Sequence, residues 1–163
     1  MPVYLKATDA VEQAAGCKSA LIVPCRFCPA ASCAVQSKEP YIEPLRRVLK
    51  TASYERFIKE LRGRFEKKGL ETSVFKSRLL HQFVLCMWTS RRRRKLLKRA
   101  REYDAVVVLG CEAAGETVRG PLKSTDCKVI QGMESEGIMS IKPVVRLPAT
   151  LSLELESITR GAA

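Results

Sequence analysis

Three thiols fall within the nine residues Cys25-Arg26-Phe27-Cys28-Pro29-Ala30-Ala31-Ser32-Cys33, at the spacing C-x2-C-x4-C. Two cysteines three positions apart can bring both sulfurs to one metal, about 2.3 Å away in a zinc site. The same bite also serves dithiol redox chemistry. Two more cysteines end apolar runs: Cys86 after Phe83-Val84-Leu85, and Cys111 after Ala105-Val106-Val107-Val108-Leu109-Gly110. Cys17 and Cys127 precede apolar runs instead, and read as core or surface thiols. The one histidine, His81, stands on a helix-like face with no sequence relation to a nucleophile, so a Ser-His-Asp or Cys-His triad has little support. A zinc knuckle would show two paired motifs or histidine ligands. Single cysteines scattered around one pair suit an iron–sulfur cluster better. The candidate metal ligands are therefore Cys25, Cys28, Cys33, Cys86 and Cys111, with zinc as the alternative metal. There is no G-x-G-x-x-G and no P-loop.

These thiols need strands to carry them. Lys18 to Val23 reads as a central strand, and the prolines and small residues of 24–34 predict an irregular cysteine-rich loop after it. Before the strand, Asp9 caps a short helix with Glu12 three positions on, and Gly16 ends it. Pro40 and Pro44 flank the start of a helical stretch holding Leu45, Val48 and Leu49. Tyr54, Phe57, Ile58, Leu61 and Phe65 form an apolar stripe in a helix from about Ser53 to Lys68, stopped by Gly69. Leu70 to Phe75 is a second strand. Lys76 to Trp88 fits either a helical face or a strand ending on Cys86. Thr89 or Ser90 caps a helix from Arg91 to Tyr103. Ala105 to Leu109 is the clearest strand, Ala113 to Val118 opens a helix, and Cys127 to Gln131 is the next strand.

After Gly132, short strands are expected at Ile138 to Ile141, Val144 to Leu147 and Leu151 to Leu155, separated by Pro143 and Pro148. The order predicts one α/β domain over 1–163: a three-layer, mainly parallel, flavodoxin-like sheet, with a short antiparallel C-terminal extension at 133–158. In such a sheet ligands bind at the carboxyl ends of the strands. Cys25, Cys28 and Cys111 then converge from positions more than 80 residues apart. Cys111 also falls where a helix begins, which favours its thiolate.

The chain has 163 residues, 46% hydrophobic and 28% charged, enough for one domain with a single core. No apolar run approaches the ~20 residues that span a bilayer. The start of the chain carries Lys6, Asp9 and Glu12 rather than an apolar signal core, so a cytoplasmic, reducing setting is expected. Seven cysteines, an odd number, then suit ligands or reactive thiols better than disulfides.

The net charge is +12, and Arg91 to Arg101 alone holds eight Lys/Arg and no acid. Four cations at a helix start oppose its dipole. A solvated helix turn accounts for them, and so does an anion site at Arg91, Arg92 and Arg93 for a phosphate, a nucleic acid backbone or an acidic partner. Aromatic residues are 6% and hardly interleave with the cations, so a stacking nucleic-acid platform is weakly supported.

Phe83-Val84-Leu85-Cys86, a helix, then Asp104 through Cys111, together with Cys25-x2-Cys28 after the first strand, resembles the small delta subunit of methyl-viologen-reducing hydrogenase. That resemblance implies a cluster among cysteines at three strand ends, and electron transfer to heterodisulfide reductase. Ala105 to Val118 is also similar to the small metal-binding partner domain of some methylenetetrahydrofolate reductases. The resemblance covers about half the chain and departs at Glu112 to Glu116, where the delta subunit has further Cys/His residues. The expected function is a cysteine-ligated, iron–sulfur accessory or electron-transfer subunit of a larger redox or one-carbon enzyme. The alternatives are a metal-free thiol enzyme using Cys111, or a basic nucleic-acid-binding module.

Overall fold

The structure, a computed structural model, describes residues 2–42, 51–76, 84–146 and 150–160. The elements run β1 (Val3–Ala7), α1 (Ala10–Gln13), β2 (Ser19–Pro24), α2 (Cys28–Ser37), α3 (Ala52–Lys67), β3 (Glu71–Val74), a 3-10 turn (Leu85–Met87), α4 (Ser90–Ala100), β4 (Ala105–Leu109), α5 (Glu112–Leu122), β5 (Lys128–Gln131), β6 (Met133–Arg146) and β7 (Thr150–Thr159). Four strands form a parallel sheet in the order β3-β2-β4-β5, and β1-β6-β7 form a separate antiparallel sheet. No described helix is long and apolar enough to cross a membrane.

The parallel sheet is covered on both faces, which is why its central strands are apolar throughout. Alternate side chains divide between two cores. Ile22, Val107 and Leu109 pack with Tyr54, Ile58, Leu61 and Phe65 of α3 and with Ala30 of α2. Leu21, Val23, Val106 and Val108 pack on the other face with Leu96 and Ala100 of α4 and Ala114, Val118 and Leu122 of α5. The three-layer expectation holds. The α3 stripe is the one expected from its spacing, and Gly69 follows that helix with φ +81°. Asp9 caps α1, its carboxylate accepting the Glu12 N–H at 3.3 Å. At the amino edge, the Asp104 carboxylate accepts the N–H groups of Lys18 at 2.7 Å and Ser19 at 3.1 Å, tying the start of β2 to the turn before β4.

Four expectations are corrected. Residues 24–34 are not an irregular loop, because α2 begins at Cys28. Pro29 lies in its first turn, where a missing N–H breaks no helical bond, and Ala30 to Ala34 continue it. Cys86 does not end a strand: Leu85–Met87 is a 3-10 turn. The segment 77–83, with His81, lies outside the described residues, as does the helical stretch with Leu45, Val48 and Leu49.

The C-terminal part is two long strands rather than three short ones, and β6 runs straight through Pro143. Its pairing with β1 reaches only Ile138, so at Pro143 β7 is its one described neighbour and an absent N–H is tolerated. Finally, the extension at 133–158 is completed by β1, a strand the N-terminal sequence does not announce. The buried Ser32 hydroxyl holds β1 to α2: it accepts the Leu5 N–H at 3.0 Å and lies 3.3 Å from the Val3 carbonyl. Gln36 adds a bond from its Nε2 to the Leu5 carbonyl at 2.9 Å.

Candidate functional site

In the order β3-β2-β4-β5 the chain moves outward from β2 to β3, then crosses back to β4 on the other side of β2. The carboxyl ends of β2 and β4 therefore flank the topological switch point, where open parallel sheets bind ligands. Cys25 and Cys28 leave the end of β2, and Cys111 leaves the end of β4. Pro24 pairs with Leu109, and the Cys25 N–H donates to the Leu109 carbonyl at 2.8 Å. The two thiol-bearing turns are thus hydrogen-bonded neighbours.

Gly110 is the joint between them. A Cβ there would stand 2.7 Å from the Ala114 Cβ and 3.4 Å from the Cys25 Cβ. The Ala114 contact is what requires glycine: only without a Cβ can the β4–α5 turn lead this tightly into α5. Gln131, at the end of β5, donates from Nε2 to the Gly110 carbonyl at 2.6 Å and holds the turn from the far side. Glu112, the first residue of α5, accepts the Ser135 N–H and its hydroxyl, so the antiparallel sheet braces the same turn.

Cys111 is the N-cap of α5. Its thiol is lowered to about 6, chiefly by a hydrogen bond from Cys28, helped by the N–H groups of Ala114 and Ala113 at the helix start. Cys28 moves in the opposite direction. As the partner that keeps the proton, it is pushed well above the ordinary thiol range by Cys111, then by burial. Cys28 and Cys111 therefore form a thiol–thiolate pair.

Cys25 is buried and raised first by desolvation. The backbone N–H groups of Leu85 and Phe27 work against that rise, and the charges of Cys86 and Cys111 add to it. The Leu85 contact places the 3-10 turn over Cys25, which brings the exposed Cys86 to the same edge. Tyr41, more than half buried, is raised by burial and then by Cys28 and Cys25, so its phenol borders the site.

Of the five candidate ligands, Cys25, Cys28, Cys111 and Cys86 share this edge. Cys33 does not join them. Five residues beyond Cys28 on α2, it points about 140° away around the helix and is buried in the core, its thiol pushed up to about 12 by burial alone. Cys17 and Cys127 stand at the amino ends of the parallel strands, and Cys127 is pushed up to about 11 by burial, then by Asp104 and Cys17.

Among the described residues, no three Cys, His, Asp or Glu side chains stand ready as a metal cage. What the edge offers is one joined thiol pair, a buried thiol beside it and an exposed thiol on a short turn. The donor set is sulfur only, which suits soft thiolate-bound metals.

The expected arginine clamp is divided. The Arg92 guanidinium lies 4.4 Å from the centre of the Phe75 ring and 5.2 Å from that of Trp88, and donates to the Lys76 carbonyl at 2.6 Å. Arg93 donates from Nε to the Trp88 carbonyl at 3.2 Å. Both arginines fasten α4 to its own chain, leaving Arg91 and Arg94 exposed. Gly110, Gln131, Glu112 with Ser135, and Tyr41 were not foreseen from sequence. Only the Gly-Cys step after a Val-rich strand carried a local signal. No known protein family, curated protein or solved structure matches this chain.

Proposed function

We propose that the chain is a cysteine-ligated metal protein, in first place iron–sulfur, serving as an electron-transfer or accessory subunit of a larger redox or one-carbon enzyme. One observation carries the reading: thiols from three separate segments lie along one edge, at the switch point of a parallel sheet. Cys25, Cys28 and Cys111 would hold the metal, with Cys86 the nearest fourth ligand because its turn lies over Cys25. Bound there, a cluster supplies a one-electron redox centre. The chain's own contribution is to deliver a thiolate at Cys111, to exclude water around Cys25, and to aim N–H groups at the sulfurs, which tunes a cluster's potential. The resemblance to the hydrogenase delta subunit agrees with this role.

The test is iron and sulfide analysis with visible spectra on protein prepared without oxygen. Cys28→Ser or Cys111→Ser should lose the metal, and Cys127→Ser should keep it. A colourless, iron-free wild type after reconstitution rejects the iron–sulfur assignment, and stoichiometric zinc would make the site structural.

The Cys28–Cys111 pair favours a second reading, a metal-free dithiol enzyme. The Cys111 thiolate would attack a substrate disulfide and expel one sulfur as thiolate. Cys28, once deprotonated, would then resolve the mixed disulfide by bonding to Cys111 and releasing the second sulfur. Reduction of one equivalent of a disulfide substrate by metal-free protein, with turnover when a small-molecule dithiol is added to re-reduce the Cys28–Cys111 disulfide, both lost in Cys28→Ser and Cys111→Ser, would select it.

A further inference from the structure

The carboxyl edge of the parallel sheet exposes more than thiols. Phe27, between Cys25 and Cys28, is 45% exposed, and Met87, next to Cys86, is 74% exposed. Both are large apolar side chains on the turns that carry the candidate ligands. Immediately after Met87 and Trp88, α4 begins. Its positions Arg91, Arg94, Lys95 and Lys98 recur at i, i+3, i+4 and i+7, so they share one helix face. All four are exposed, and none has an ion pair among the described residues. The opposite face is spent on the core through Leu96 and Ala100. The stripe therefore starts beside the cysteine edge and leads away from it.

We propose that this edge is the docking surface for an acidic electron-carrier protein, with Phe27 and Met87 at its centre and the Arg91–Lys98 stripe on its rim. The proposal rests on the metal-site reading for its redox role. An apolar centre with a charged rim is the anatomy of a protein interface. Redox partners use small patches of this kind, and complementary charge speeds and orients the encounter.

A second copy of this chain is disfavoured, because two molecules at +12 repel one another. A duplex fits less well. The stripe spans only about 10 Å from Arg91 to Lys98, and the neighbouring Phe75 and Trp88 rings are engaged by Arg92 instead of standing open for bases. Four cations on one short face match a compact acidic patch.

The probe is an acidic plant-type [2Fe–2S] ferredoxin, with binding to the whole chain measured by calorimetry at low and high salt. The expected result is binding that weakens with salt, falls about tenfold or more in R91E/R94E, and is unchanged in the control K59E/K67E, which reverses two exposed charges on α3. Met87→Ser, which removes apolar surface without adding charge, should weaken binding about tenfold while leaving the salt slope unaltered. Iron content is measured on the same preparations. Binding lost while iron is retained establishes the surface independently of the cluster. No wild-type binding at low salt, or equal loss in the control, overturns the surface whatever the iron content. Tighter binding to a duplex or single-stranded oligonucleotide than to ferredoxin, lost in R91E/R94E, overturns it in favour of a nucleic-acid face. Absence of iron from the wild type overturns the cluster reading instead.

Discussion

The Cys28–Cys111 pair turns a positional feature into a chemical one. A helix start alone would favour a thiolate at Cys111, but the larger cause is Cys28, which sits on another element and donates to it. In metal-free protein the alkylation rate of Cys111 should therefore rise with a midpoint at about 6. Cys28→Ala removes the donor, and the midpoint should move up toward the ordinary thiol value of ~8.5. An unmoved midpoint would assign the whole effect to the helix. The same pair sets a pH dependence of stability. Between about 6 and ~8.5 the folded pair has released one proton while both unfolded thiols still hold theirs, so stability rises with pH. Above ~8.5 both unfolded thiols ionise while Cys28 stays protonated, so stability falls. Burial of Cys25 and Cys33 adds to that fall. Denaturant midpoints of reduced, metal-free protein should peak near pH ~8.5, and in Cys28→Ala the rise below that pH should shrink.

At the scale of elements, two glycines that look alike in sequence do opposite things. Gly110 permits the tight turn from β4 into α5. Its added Cβ would meet the Ala114 Cβ, which the helix backbone fixes and cannot withdraw. Gly110→Ala should cost about 1–3 kcal/mol and lower metal retention, because the turn that carries Cys111 must shift relative to the first turn of α5. Gly63 lies inside α3 with nothing within 4 Å of a Cβ. Gly63→Ala should raise stability by about 0.5–1 kcal/mol through helix propensity. Paired thermal melts check both, and a destabilised Gly63→Ala would mean that the open space at that face is filled by something else. The contrast shows what the sequence could carry. Periodicity announced α3 and α4, which each bury one regular face, and a continuous apolar run announced β4, which is buried on both faces. The α2 start was missed, since a proline in a cysteine-rich run looks like a breaker unless it falls in the first turn. Strand β1 was missed because bonds from Ser32 and Gln36, some 30 residues away, help to hold it. The convergence of Cys25, Cys28 and Cys111 was legible, since strand order alone places them on one edge. The exclusion of Cys33 was not, because it depends on α2 being a helix.

At the scale of the molecule, the two sheets divide the labour. The parallel sheet positions the thiols, and the antiparallel sheet meets the site at Glu112–Ser135 before running on past Ile138 as a two-stranded β6–β7 arm. A metal held by Cys25, Cys28 and Cys111 would tie the end of β2 to a turn more than 80 residues later. A ligand that binds only the native state stabilises it by mass action, and the gain concentrates where its ligands lie. Anaerobic loading with iron and sulfide should therefore raise the melting temperature. It should also slow amide exchange in residues 24–28, 84–88 and 109–114. Residues 141–144 and 152–157 of the arm should exchange at the same rate with and without metal, since their pairing is between β6 and β7, whereas Leu151, which exchanges bonds with Tyr41 and Ile42 beside the site, is the exception. Exchange mass spectrometry on the two forms reads this directly. Protection spread evenly over the chain would point to general tightening of the fold. Protection confined to Cys17, Cys127 and their neighbours would put the metal on the opposite edge of the sheet.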